Sequence, residues 1–319
     1  MSAASSSPAD AAASHWQATR GPLGLPAAEL PARAEVVVIG GGLLGVSAAY
    51  WLARAGRRPL LIERRLPAAG ATGRNGGFMV AGTAESYPDA IARHGHAVAK
   101  GIWQLTLDNR ALLRGVLAEE RIACDYREPG HLSLALSEDQ RASMAHAIAA
   151  MAADGFAAEL LDRKGAQELV GTPLADEIVG GLYAAEDGLL HSARLIDGLA
   201  RAAARYGARL CLGHEVLAIA PEGDGARIST ARGQVLAGRV LVAANAWLGQ
   251  LAPQLAGVVR PVRGQVLSYQ PSAPVFRLGM GAALTPTDES TPPDIATTTR
   301  VSAGGLSSPR EFLAMAGPI

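Results

Sequence analysis

The sequence predicts an α/β fold made of two interleaved units. One opens on a parallel βαβ unit, and the other is α+β and built on a mixed or antiparallel sheet. Three observations predict this. An apolar, β-branched run at 34–39, AEVVVI, leads directly into GGGLLG, a helical stretch to Gly56, and a second apolar run ending at Glu63. Further on, HLSLALS at 131–137 alternates with the period of two that marks a half-exposed strand. The chain has 319 residues, more than one average domain, and only 4% of them are aromatic. That favours an α/β core of Ala, Leu and Val over an aromatic-rich binding module.

Taken in order, residues 2–14 are small and polar and lack the basic head and apolar centre of a signal peptide. Residues 1–33 therefore read as a disordered leader. No apolar run reaches the ~18 residues of a spanning helix, so no integral membrane segment and a cytoplasmic setting are expected. The βαβ unit follows, with Gly56 closing its helix and a right-handed crossover. Residues 86–120 read as helix. Ser137 starts another helix, and Gln140 is placed to complete a capping box. Residues 192–206 form an amphipathic helix closed by Gly207, and ARLCLG returns as a strand. Two or three strands lie between 215 and 243, the last of which, GRVLVAAN, is apolar enough to be central and parallel. Residues 258–269 read as a long strand with one proline. Beyond 270 the chain is rich in Pro, Thr, Ser and Gly and has neither periodicity.

Charge and cysteine content narrow the function. The chain carries 29 basic and 29 acidic residues, so no field of one sign gathers nucleic acid. Cys124 and Cys211 have no metal-ligand spacing and read as reduced, packed thiols. His94 and His96 diverge on a helix, and no metal site is expected.

The glycines carry the chemistry. Gly40, Gly42 and Gly45 form G-x-G-x-x-G, with Leu43 and Leu44 between the last two glycines at the opening of the helix. Here Gly40 permits the turn, Gly42 the approach of a pyrophosphate, and Gly45 close helix–strand packing. The helix N-terminus offers that pyrophosphate unpaired N–H groups. Glu63 lies where a ribose-binding carboxylate belongs, with Arg64 beside it. A carboxylate there disfavours a 2′-phosphate, which leaves FAD and NAD. A second loop, GATGRNGG at 70–77, adds Thr72, Arg74, Asn75, Gly76 and Gly77, a dense set of donors suited to close approach.

VVVIGGGLLGVSAAYWLARAG, LLIERR and GATGRNGGF together resemble the FAD-dependent amine and amino-acid oxidoreductases. That group includes D-amino-acid oxidase, glycine oxidase, sarcosine oxidase and γ-glutamylputrescine oxidase. The Arg-Asn-Gly-Gly spelling and the leader SHWQATRG at 14–21 are most like the γ-glutamylputrescine oxidase-like branch. The resemblance implies a Rossmann-like FAD domain with a glutathione-reductase-like start, formed by 34–80 and 186–257. A substrate domain is implied at 81–185 and 258–285, with an irregular, truncated or frame-shifted tail at 286–319. Val216 is implied at the adenine, and Ala244, Asn245 and Trp247 at the strand end passing the flavin. The family more often has Gly where Asn245 stands.

The implied reaction oxidises a C–N bond of a primary or secondary amine or amino acid. Hydride passes to flavin N5, water hydrolyses the imine, and oxygen or another acceptor takes the electrons. Some relatives place a lysine by the flavin, but no lysine follows Lys164 here. His191, Arg263 and Tyr269 are the candidate pocket residues, each with a structural alternative. A catalytically incomplete FAD-binding fragment and an NAD-dependent dehydrogenase are the competing readings.

Overall fold

The computed structural model describes residues 13–25, 28–171 and 173–259, and the backbone of short strands at 284–286, 298–299 and 312–313. The first element among the described residues is a single turn, α1 (His15–Ala18), then β1 (Arg33–Ile39), α2 (Leu43–Arg54) and β2 (Leu60–Glu63). Next come β3 (Phe78–Met79), α3 (Tyr87–His94), α4 (His96–Glu120) and β4 (His131–Ala135). They are followed by α5 (Glu138–Ala153), β5 (Glu159–Asp162), α6 (Arg163–Leu169), β6 (Gly180–Ala184) and β7 (Gly188–Leu189). The remainder is α7 (Ser192–Arg205), β8 (Arg209–Leu212), β9 (Val216–Glu222), β10 (Gly225–Thr230), β11 (Gly233–Val242), α8 (Leu248–Leu251) and β12 (Leu284–Pro286).

The larger sheet has the order β8-β2-β1-β11-β10-β9. Its first four strands are mutually parallel, and β9 and β10 add antiparallel partners at one side. The βαβ reading of 34–63 and the parallel reading of the strand ending at 242 agree with this pairing. Alternation along β1 divides the core. Val38 packs with Val46, Ala49 and Tyr50 of α2 and with Ile196 and Leu199 of α7. Val37 and Ile39 face the other way, into a cluster with Ile62, Cys211, Ile228 and Val235. From β1 the chain moves to β2 on one side, while β11 flanks β1 on the other. This topological switch opens a crevice at the carboxyl ends of the strands.

The smaller sheet has the order β12-β4-β6-β5, with antiparallel pairs β4–β6 and β5–β6 and a parallel β12–β4 pair. Leu132 and Leu134 bury one face of β4 against Ala166 and Val170 at α6. A separate aromatic cluster joins α3, α4 and the end of α5. Tyr87 lies edge-on to Trp103 and Phe156, at centroid distances of 5.0 and 5.5 Å. The Tyr87 hydroxyl donates to Asp154 at 2.7 Å. That bond, with Lys100 and His96, holds the Asp154 carboxyl well below its usual range.

Two expectations need correction. The leader is not disordered throughout: Ser14 caps α1, and residues 13–25 lie against the folded body. Trp16 and Leu25 pack against the core, and Ser14, Gln17 and Arg20 add hydrogen bonds, contacts that the composition of this stretch did not reveal. At α5, Ser137 accepts the Gln140 N–H as expected, but Gln140 Oε1 accepts from Leu136 N–H at 2.7 Å. The reciprocal bond therefore reaches one residue further back than a capping box. The proposed strand at 258–269 falls almost wholly outside the described residues. Among those described, no helix is long and apolar enough to cross a membrane.

Candidate cofactor site

β1, β2 and β11 all end at the same edge of the sheet, and the turn after β1 is forced into a narrow space. Gly40 has φ +111°, and a Cβ there would lie 2.5 Å from the Ala243 carbonyl oxygen. Its N–H donates to the Ile62 carbonyl at 2.9 Å, which ties the turn to β2. A Cβ on Gly45 would lie 1.9 Å from the Gly40 carbonyl oxygen, so helix and turn approach closely only because no side chain is present. Both glycines meet the steric demands read from the sequence.

Gly42 is the N-cap of α2 and has no side chain to cap it. The second glycine loop supplies the missing group. Thr72 Oγ1 accepts the Leu43 N–H at 3.0 Å, so one loop caps the helix that begins in the other. Ala68 makes a second link, its N–H donating to the Gly41 carbonyl at 2.9 Å.

Glu63 stands at the end of β2. Its Oε2 accepts from Gly41 N–H at 2.7 Å and its Oε1 from Arg65 N–H at 2.8 Å. These bonds orient the carboxylate and leave acceptor capacity on each oxygen for hydroxyl donors. Arg64 lies over the Trp247 ring at 4.3 Å, with Glu215 at 3.9 Å. Asn245 adopts φ +48°, a left-handed conformation that asparagine tolerates better than most residues.

These groups surround one cleft, lined by 39–42, 62–65, 69–72, 214–216, 243–245, Trp247, Gln250 and Leu251. Of the predicted cofactor residues, Gly40, Gly42, Glu63, Arg64, Thr72, Val216 and Ala244 line it. Leu43, Leu44 and Gly45 follow Gly42 on the first turn of α2 and are not among the lining residues. Arg74, Asn75, Gly76 and Gly77 continue the second loop and are not among the lining residues either. Asn75 serves the loop itself: Nδ2 donates to the Thr72 carbonyl at 2.9 Å and Oδ1 accepts the Gly77 N–H at 2.9 Å.

The donor set and shape suit a dinucleotide. They combine a helix N-terminus whose N-cap is a glycine and whose Leu43 N–H is taken up by Thr72, an oriented carboxylate, backbone without side chains, and an apolar slot of Ile39, Ile62, Val216 and Leu251. A Cβ on Gly41 would sit 2.9 Å from the Glu63 side chain, and one on Gly42 would sit 3.2 Å from Thr72 Oγ1.

His191 does not face this cleft. It is 3% exposed and is the N-cap of α7. Its Nδ1 accepts the Arg194 N–H at 3.2 Å, so the proton sits on Nε2 and is donated to Thr19 Oγ1 at 3.0 Å. Burial, reinforced by Arg194, lowers its pKa. The Asp-Gly turn and following helix in the sequence are equally the signature of a cap, and the cap is what forms. Arg263 and Tyr269 lie outside the described residues.

Sequence reading missed a buried polar cluster beyond the second loop. Arg110 pairs with Asp187 at 2.6 Å and Glu186 at 2.7 Å, and Asp187 also accepts the Ala81 N–H at 3.1 Å. Burial pushes Asp187 up to about 6, while the ion pair opposes that shift. His131, 3.8 Å from Asp187, is pushed down to about 4 by burial. A lone arginine in a long helix carries no sequence signal for such a cluster. The expected thiols behave as read, with Cys124 and Cys211 both buried and free. Among the described residues no group of side chains could hold a metal ion.

Comparison with known proteins bears on this geometry. The family model described as FAD dependent oxidoreductase (DAO) matches residues 35–308, past residue 285 where the family pattern was expected to stop. The gamma-glutamylputrescine oxidoreductase of Escherichia coli K12 is 31% identical over 240 residues, covering 74% of this chain and 55% of that protein. The crystal structure of glycine oxidase from Geobacillus kaustophilus superposes with a TM-score of 0.62 at 26% identity, covering 70% of this chain and 59% of that one. L-proline dehydrogenase from P. horikoshii shares the fold, with a TM-score of 0.63 at 20% identity over 90% of this chain and 72% of that one. The chain spans about half the length of the curated relatives it matches.

Proposed function

Because the chain belongs to the DAO family of FAD dependent oxidoreductases, we propose that its cleft holds FAD and that it oxidises a C–N bond of an amine or amino acid. One observation carries the proposal: the α2 N-terminus, the Glu63 carboxylate and the second glycine loop converge on one cleft at the switch point of the sheet. Gly40, Gly42 and the first turn of α2 would hold the pyrophosphate, Glu63 the ribose, and Val216 with the Arg64–Trp247 stack the adenine end. Gly70, Ala71 and Thr72 would continue toward the ring. Arg74, Gly76 and Gly77 remain candidates on that side, and Leu43, Leu44, Gly45 and Ala244 complete the cradle.

Bound FAD supplies a two-electron acceptor at N5 for the substrate α-carbon hydride. The protein's own part is to orient the dinucleotide, exclude water from the reacting face, and bind the amine. In the proposed reaction the imine product would be hydrolysed by water, and oxygen or another acceptor would take up the electrons. Arg263 and Tyr269 are proposed substrate contacts on sequence grounds. A guanidinium such as Arg263 suits a substrate carboxylate. A cytoplasmic location completes the proposal, supported by two buried thiols not joined as a disulfide.

The test is anaerobic addition of γ-glutamylputrescine, glycine, sarcosine, D-alanine or proline to the FAD-loaded chain. Bleaching of the flavin band by one of them is the expected result. Flavin uptake without bleaching by any amine supports a cofactor-binding chain with an incomplete substrate site. Binding of NAD with no uptake of FAD supports the nicotinamide reading.

A further inference from the structure

We propose that residues 14–20 clamp the second glycine loop, so that Trp16 and Gln17 are positioning residues for the cofactor site. This rests on the FAD reading above.

The contacts are concentrated on one loop. Trp16 Nε1 donates to the Asn75 carbonyl at 2.6 Å, and the Ser14 hydroxyl donates to the Gly73 carbonyl. Gln17 Nε2 reaches the Ala68 and Ala69 carbonyls, both at 3.1 Å. Arg20 donates to the Pro67 carbonyl at 2.9 Å. Five carbonyls between 67 and 75 are thereby occupied by one short segment.

The segment is itself anchored to a rigid helix. Arg20 forms an ion pair with the buried Asp197 of α7, Nε to Oδ2 at 2.9 Å. Arg194 Nη2 donates to the Thr19 carbonyl at 2.7 Å, and the Trp16 ring meets His191 edge-on at 4.9 Å. The clamp therefore connects α7 to the loop that caps α2.

The leader lies close to two loop glycines. A Cβ on Gly77 would lie 2.4 Å from the Leu190 carbonyl oxygen and 2.9 Å from Trp16 Cζ2, and one on Gly73 would lie 2.1 Å from the Ala68 carbonyl oxygen and 3.2 Å from Gln17 Nε2. Ala68 is held at φ +56°, an unfavourable conformation for a residue with a Cβ. Its carbonyl accepts from Gln17 while its N–H donates to Gly41 in the first glycine loop. Gln17 is thus one residue removed, through Ala68, from the turn that would hold the pyrophosphate. The leader constrains the spacing of the two loops without lining the cleft.

The test compares full-length wild type with Trp16→Phe, Gln17→Leu and the double variant. Each is stripped of flavin and titrated with FAD, with urea unfolding of the flavin-free chain as the fold control. The double variant is expected to raise the FAD dissociation constant about tenfold, the scale of one or two lost hydrogen bonds. The visible circular dichroism of its bound flavin is expected to change while far-ultraviolet dichroism does not. FAD affinity within about twofold of wild type, with unchanged visible dichroism, overturns the inference, whether or not the urea midpoint falls. Failure of the wild-type chain to take up FAD overturns the cofactor reading as well, which separates the two outcomes.

Discussion

Gly45 and Glu63 are the residues where the proposed site is least forgiving. A Cβ on Gly45 would enter the Gly40 carbonyl, so Gly45→Ala is expected to destabilise the chain by about 1–3 kcal/mol, read from urea unfolding. Glu63→Gln places an N–H2 donor against one of the backbone N–H groups that the carboxylate now accepts. Its FAD dissociation constant should rise about tenfold, and a value equal to wild type would remove Glu63 from the site. His191 makes the opposite prediction. As a helix cap, it should tolerate His191→Asn with turnover retained, while His191→Ala costs about 1 kcal/mol of stability. A collapse of turnover in a stable His191→Asn chain would restore it as a pocket residue. His131 governs a pH response. Its folded pKa of about 4 lies below the ordinary 6.5, so the unfolded chain binds the extra proton and stability falls as pH drops from 6.5 toward 4. Asp187, raised to about 6, acts in the opposite sense, so the comparison is made against a variant. Between pH 7.5 and 5, wild type should lose about 1–2 kcal/mol more than His131→Asn. An equal loss in both would contradict the burial argument.

Among the elements, α7 and α4 test packing against intrinsic helix preference. Gly198 is buried in α7, and a Cβ there would meet Ile122 Cγ2 at 2.4 Å. Alanine is the better helix former by about 1 kcal/mol, yet Gly198→Ala should destabilise, by about 1–3 kcal/mol. Gly101 and Gly115 in α4 have open space where a Cβ would go, so Gly101→Ala or Gly115→Ala should raise stability by about 0.5–1 kcal/mol. The same reversed sign at all three positions would contradict the packing described. These elements also show what the sequence made legible. The β1–α2–β2 unit was readable because hydrophobic period, glycine spacing and the acidic strand end all fall within thirty residues and reinforce one another. The α7 helix was readable from its stripe of small and apolar residues, ended by Gly207. The hydrogen-bonding partners of His191, Asn75 and Thr72 were not legible, because each depends on a residue or turn brought close only by the fold. The order of the leader was not legible for the same reason: it comes from Trp16 and Leu25 packing on the core and from side chains reaching carbonyls and a carboxylate brought close only by the fold.

At the scale of the whole molecule, the described chain joins two sheets, and the cleft belongs to the larger one. The short β3–β7 pair and the Arg110–Asp187 contact lie between the second glycine loop and the helices beside the smaller sheet. The proposed cofactor contacts and the proposed substrate contacts therefore come from different stretches of the chain. The residues that would hold the cofactor come from 39–72 and 214–251, whereas Arg263 and Tyr269 belong to a different stretch. The family match covers 35–308, yet the chain spans about half the length of its curated relatives, so cofactor binding is the property to test first. The most direct measurement is a titration of the flavin-free chain with FAD and, separately, with NAD, followed by visible absorbance and fluorescence quenching. Saturable FAD uptake with a shifted flavin band, weakened by Glu63→Gln, and much weaker binding of NAD is the expected result. No FAD uptake by the folded chain, or binding unaffected by Glu63→Gln, would contradict it.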